Sequence, residues 1–201
     1  MSRSGSKKVD TVKLVGVALF TAIVFVLSYF SSYIKFGTFS ITLALVPIVI
    51  GAALYGRAAG TWLGFVFGMA VLISGDAAAF LSINFAGTIL VVLLKGMLAG
   101  FIAGTIYKAV EEVSIPLGVF FAAVLCPVVN TGVFLLGSAV FFMDTMRAWS
   151  EGMGFGSNIV GFMIFGLVGV NFLLEILVNM ILSPVIVRLI QVGTKAKIKS
   201  V

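Results

Sequence analysis

GTILVVLLKGMLAGFIAGTIY, residues Gly87 to Tyr107, is apolar over the length a bilayer demands and is interrupted near its middle by one lysine, Lys95. At about 1.5 Å of rise per residue, some 20 apolar residues cross the ~30 Å hydrocarbon layer. The stretch therefore reads as a membrane-spanning helix. An ionised lysine at that depth costs at least about 2.5–3.5 kcal/mol unless it faces a bundle interior or a wet cavity. A bundle of helices with a polar interior is the fold this implies.

The rest of the composition agrees. Of 201 residues, 61% are hydrophobic and 10% charged, too few polar side chains to coat a soluble domain of this size. The chain has no histidine, which removes the commonest general base and metal ligand. Its single cysteine, Cys126, excludes an internal disulfide and a thiolate metal cage. The net charge of +6 does not signal nucleic acid, because the basic residues sit at the ends and turns of apolar segments. There they set membrane orientation.

Six apolar segments predict an all-α bundle of six transmembrane helices, at roughly 12–33, 41–56, 59–75, 87–108, 115–142 and 162–190. The whole chain, 1–201, reads as one integral membrane domain with basic tails at about 1–10 and 192–201. The first segment is longer than a signal-peptide core, and no small-x-small cleavage site follows it. The second and third are short and could instead form a re-entrant hairpin. Two spans suit the charge better. With the N-terminus inside, Arg3, Lys7, Lys8, Lys13, Arg57, Lys108, Arg188, Lys195, Lys197 and Lys199 are cytoplasmic, and only Lys35 and Arg147 fall outside. This is a strong positive-inside bias, with both termini cytoplasmic. The long glycine-rich outer segment 143–161 reads either as a lid or as a plain loop.

Three spans carry costly polar groups at similar depth. They are Lys95 in the fourth, Asn130 in the fifth, and Asn171, Glu175 and Asn179 in the sixth, the last three at i, i+4, i+8 on one face. The cheapest arrangement has Lys95 and Glu175 facing each other. A purely structural pair is a weak reason for that cost, since apolar replacements are often neutral or stabilising. Pro127 and Pro184 each remove a helical hydrogen bond, which taken alone reads as an ordinary kink and beside polar groups supports a helix broken at a cavity. Gly60, Gly64 and Gly68, like Gly96, Gly100 and Gly104, form smooth stripes for close packing. Ala18 and Ala22 make a similar small pair on the first helix, for internal packing or for a partner. No phosphate-binding loop, zinc-protease motif or nucleophile elbow is present, so nothing points to an enzyme, a metal or a cofactor.

The stretches ITLALVPIVIGAALYGRAAGTWLGFVFG (41–68), LLKGMLAGFIAGTIYK (93–108), PVVNTGVF (127–134) and NFLLEILVNMILSPVIVRLI (171–190) resemble the S components of energy-coupling factor (ECF) importers. These are bacterial membrane subunits that capture vitamins. The resemblance covers nearly the whole chain and is nearest to the pantothenate-type and generic S components. It implies a substrate-binding subunit of the bacterial plasma membrane, working with a membrane coupling subunit and two ATP-binding-cassette ATPases. Ala18 and Ala22 look like the family's first-helix alanine motif, a contact to the coupling subunit. Binding by the outer loops and the outward halves of the last three helices makes Asn84, Lys95, Asn130, Asn158, Asn171 and Glu175 the candidate substrate ligands. A carboxylate bearing hydroxyls and an amide, such as pantothenate, suits a lysine among asparagines; because Glu175 can neutralise Lys95, a cationic or neutral substrate, or a flavin, is open as well. The rival expectation is a stand-alone secondary transporter coupled through Lys95 and Glu175. Such carriers are usually built from paired repeats, and none is evident here.

Overall fold

The computed structural model describes residues 11–31, 35–36, 39–40 and 43–199. The basic segment 1–10 lies outside them, as do Tyr33, parts of the 34–40 connection and the last two residues. Helix α1 (Thr11–Ser31) is followed by a two-residue antiparallel pair, β1 (Lys35–Phe36) and β2 (Phe39–Ser40), with Lys35 opposite Ser40. Then come α2 (Leu45–Tyr55), α3 (Arg57–Ile73), α4 (Ala78–Leu81), α5 (Phe85–Val110), α6 (Ile115–Phe141), α7 (Met143–Gly152) and α8 (Ile159–Gly161). A π-helical stretch at Phe162–Leu167 leads into α9 (Gly169–Lys199).

Among the described residues, four helices are long and apolar enough to cross a membrane: α1, α5, α6 and the Gly169–Val192 part of α9. Among the described residues each of the six expected apolar segments is helical over most of its length. However, α2 has 11 residues and α3 has 17, so at 1.5 Å per residue they reach only about 16 and 26 Å. The cause is Gly56, whose φ of +90° is costly for any residue with a Cβ. It ends α2, with its N–H bonding the Ala52 carbonyl at 2.9 Å, and starts α3 in a new direction. At the other end of the chain the helical backbone of α9 continues through Lys199, into the stretch expected to be a basic tail.

Short as it is, α2 is the centre of the molecule. Leu45, Pro47, Ile48, Val49, Ile50, Gly51 and Ala52 are all buried, and the helix packs against α1, α3, α5, α6 and α9. A helix enclosed by other helices is apolar all round, as LVPIVIGAALY is.

The glycine stripes meet across α3 and α5, the most extensively packed pair with α5–α6. A Cβ on Gly64 would overlap the Gly96 carbonyl oxygen, one on Gly96 would overlap that of Gly64, and Gly60 and Gly100 stand in the same relation. At Gly68 an added Cβ would lie 2.9 Å from the Val92 oxygen. The two backbones touch, so dispersion and weak Cα–H···O contacts replace side-chain packing.

Candidate functional site

A cavity opens at the end of the bundle carrying α4 and α7. Its wall is drawn from five parts of the chain. Val71 comes from the end of α3, and Asp76, Ala77 and Phe80 from the turn and short helix that follow. Val92 and Lys95 come from α5; Asn130, Thr131 and Phe134 from α6; and Leu167, Val168, Asn171, Phe172 and Glu175 from the π-helical stretch and α9. Its volume is about 80 Å³, room for a small polar group and several waters.

Local structure explains how each polar side chain reaches it. Along α5 the buried positions Val92, Gly96 and Ala99 face the bundle, which leaves Lys95 on the flank turned to α6 and α9. Its position is roughly 15 Å along α5 from Phe85. Asn130 sits roughly 16 Å back from the end of α6, so the two groups lie at a common depth. Lys95 is half-buried and opens onto the cavity. Its Nζ lies 5.6 Å from the Phe67 ring centroid and 5.2 Å from that of Phe134, in cation–π range of both. Glu175 and Asp76 are near enough to act on it through space. The ion pairs Lys108–Glu111 and Arg147–Asp144 lie away from the cavity.

The asparagines carry the most informative observation. Asn130 is 5% exposed, and its Oδ1 is buried without a hydrogen-bond donor; so is Oδ1 of Asn171. A buried carbonyl left unsatisfied costs about 1–3 kcal/mol, and the large majority of buried side-chain polar atoms find a partner. Two in one cavity, beside an ammonium group and two carboxylates, describe a surface shaped to receive donors. Asn179, fully buried one turn below Glu175, donates its amide N–H to the Glu175 carbonyl at 2.8 Å, while its Oδ1 too is buried without a donor. It belongs to the helix rather than to the cavity wall.

Asn84 and Asn158 are placed differently. Each is a helix N-cap: Asn84 Oδ1 accepts from the Gly87 N–H and Asn158 Oδ1 from the Gly161 N–H, both at 2.9 Å. Capping satisfies donors that a helix start leaves open, and neither residue lines the cavity. The prolines do not break their helices. Both α6 and α9 run unbroken through Pro127 and Pro184. The interruption beside the cavity is the π-helical stretch Phe162–Leu167, which ends at Val168 before α9 begins. Gly169 permits the junction, since a Cβ there would lie 2.9 Å from the Ile164 oxygen. Single π-turns inside helices often mark functional sites.

The roof is aromatic. Segment 143–161 folds as α7 and α8 around a turn in which Gly154 and Gly156 take positive φ, and Ser150 Oγ donates to the Gly156 carbonyl at 2.8 Å. Phe80 is wedged between Phe134, Phe142 and Trp149, with centroids 5.0–5.5 Å away in edge-to-face geometry. Phe80 and Phe134 line the cavity from one side while Trp149 covers Phe80 from the other. Trp62, by contrast, is far from the site: its Nε1 donates to Thr21 Oγ1, tying α3 to α1.

Sequence reasoning missed Asp76, Thr131 and the three phenylalanines of the wall. Asp76 had a signal: it is the one acidic residue of the segment 76–86, directly after Gly75.

A family model described as the substrate-specific component of the ECF transporter matches residues 12–187. The chain belongs to that family. It is thus a multi-pass membrane protein and a substrate-binding subunit of an ECF importer, of a kind that works with membrane-embedded coupling and ATPase modules. No curated protein matches the chain.

Proposed function

We propose that this S component captures a small, water-soluble, vitamin-like molecule in the cavity between α3, α5, α6 and α9, with Lys95, Asn130, Asn171 and Glu175 as ligands. The observation that carries the proposal is the pair of buried, donor-less side-chain oxygens on Asn130 and Asn171, two residues that line one cavity. The α4–α7 end opens to the outside of a bacterial plasma membrane, and both termini are cytoplasmic, as the distribution of Lys and Arg implies. Asn84 and Asn158 support the site indirectly, by fixing where α5 and α8 start. Aromatic contacts from α7 close the cavity, and delivery follows docking on the coupling subunit and its two ATPases.

Ala18 and Ala22 serve that docking. Both are exposed on α1, about 120° round the helix from buried Val24 and Ser28, and their small side chains allow another helix to approach closely.

Pantothenate meets part of the site's demands. Its carboxylate suits Lys95, and its hydroxyl and amide hydrogens suit the two asparagine oxygens. It offers nothing cationic to Asp76 or Glu175. The rival reading, a secondary transporter coupled through Lys95 and Glu175, predicts uptake without the ATPases. Loss of uptake in cells lacking the ATPases supports capture, and uptake that persists without them supports the rival.

Lys95→Met is expected to insert normally and to weaken substrate binding by about 1.5–3 kcal/mol, the loss of one charge-assisted hydrogen bond, read by titration of the purified chain. Glu175→Gln separates ligand types: an anion binds as well or better once a like charge is gone, and a cation binds worse. Wild-type binding by Lys95→Met would reduce the lysine to a structural role.

A further inference from the structure

The wall of the cavity is lopsided in hydrogen-bonding sense and in charge. Its lining residues set one cation, Lys95, against two carboxylates, Asp76 and Glu175, and include Asn130 and Asn171, whose buried side-chain oxygens lack donors. With the acids ionised the wall carries a net charge of −1. An anionic ligand would add to that charge inside a low-dielectric enclosure, where like charges repel strongly. It would also leave the acceptors facing acceptors. The apolar part of the wall leans the same way: Phe80, Phe134 and Phe172 border the cavity, and aromatic faces attract cations, not anions.

We infer that the site takes a zwitterion, or a molecule with a protonated nitrogen and several N–H or O–H donors, and that Asp76 is the residue that sets this charge preference. The ligand's anionic end meets Lys95. Its ammonium end lies toward Asp76 and Glu175, and its remaining donors reach Asn130 and Asn171. Asp76 is placed for selection. It stands in the turn between α3 and α4, next to Gly75 with φ +82°, half-buried at the cavity's edge. Glu175 is 6% exposed within α9. A ligand entering from the turn end passes the Asp76 carboxylate before it reaches Lys95.

This inference rests on the capture reading and can fail separately from it. Two fragments of nearly equal size test it: β-alanine, a zwitterion, and propionate, which lacks only the ammonium group. Each is titrated against the purified full-length chain in lipid nanodiscs, with binding read from the rise in unfolding temperature. β-Alanine is expected to bind roughly tenfold more tightly than propionate, the factor one charge-assisted hydrogen bond supplies. Asp76→Asn is expected to remove most of that advantage by weakening β-alanine and strengthening propionate. Equal or tighter binding of propionate by the wild type overturns the charge assignment, as does an advantage left unchanged in Asp76→Asn. If either occurs while the chain still co-purifies with a small molecule, the capture reading stands. If neither fragment binds and nothing co-purifies, both fall.

Discussion

Gly64→Leu is expected to yield no folded protein, and Gly64→Ala to lose at least about 1–3 kcal/mol of stability, the usual cost of overpacking a close-packed site. The neighbour at Gly64 is the carbonyl of Gly96, not the end of a flexible side chain. Accommodation therefore requires α3 and α5 to separate along the whole stripe. The same stripe fixes the flank of α5 that bears Lys95, so partial separation would turn the lysine away from Asn130 and Asn171. Gly132 on α6 is the control: nothing lies within 4 Å of an added Cβ there, and Gly132→Ala should be tolerated. Unfolding of the purified variants in detergent checks the pair. If Gly64→Leu melts like wild type, the α3–α5 contact is not backbone on backbone.

The double change Ala18→Trp, Ala22→Trp is expected to abolish ATP-dependent uptake while leaving substrate binding by the isolated chain intact. Both residues are exposed on α1 and well removed in sequence and packing from the cavity wall, so binding has no reason to change. Docking does, because two indoles hold apart helices that small residues let touch. Uptake assays on whole cells and titration of the purified variant read the two effects separately. Uptake at the wild-type level would mean that the coupling subunit docks elsewhere.

What the sequence revealed, and what it hid, follows from which features are costly. Lys95, Asn130, Asn171 and Glu175 stood out because lipid penalises each of them at mid-depth, and all four line one cavity. Asp76 did not stand out: an acid in a connecting turn costs nothing until the turn folds over a cavity. The glycine stripes were legible as small residues at helical spacing. The length of α2 was not, because a helix buried on every side shows no periodicity and its end depends on the positive φ of Gly56. Of the two readings of the prolines only the broken helix fails, since α6 and α9 run through them without a break. The true interruption, Phe162–Leu167, contains no proline and is flanked by glycines that resemble packing residues. Asn84 and Asn158 drew attention as polar groups near the site. Their capped partners, Gly87 and Gly161, lie three residues on, and that spacing is the mark of a cap.

The central claim is that the buried oxygens of Asn130 and Asn171 receive the transported molecule. Mass spectrometry of small molecules released from the purified chain tests it most directly, comparing wild type with Asn130→Leu, which keeps the side chain's size and removes its carbonyl. The wild type is expected to carry a small donor-rich molecule. Asn130→Leu should carry none while eluting as a folded monodisperse protein. The same molecule recovered in equal amount from folded Asn130→Leu would contradict the account.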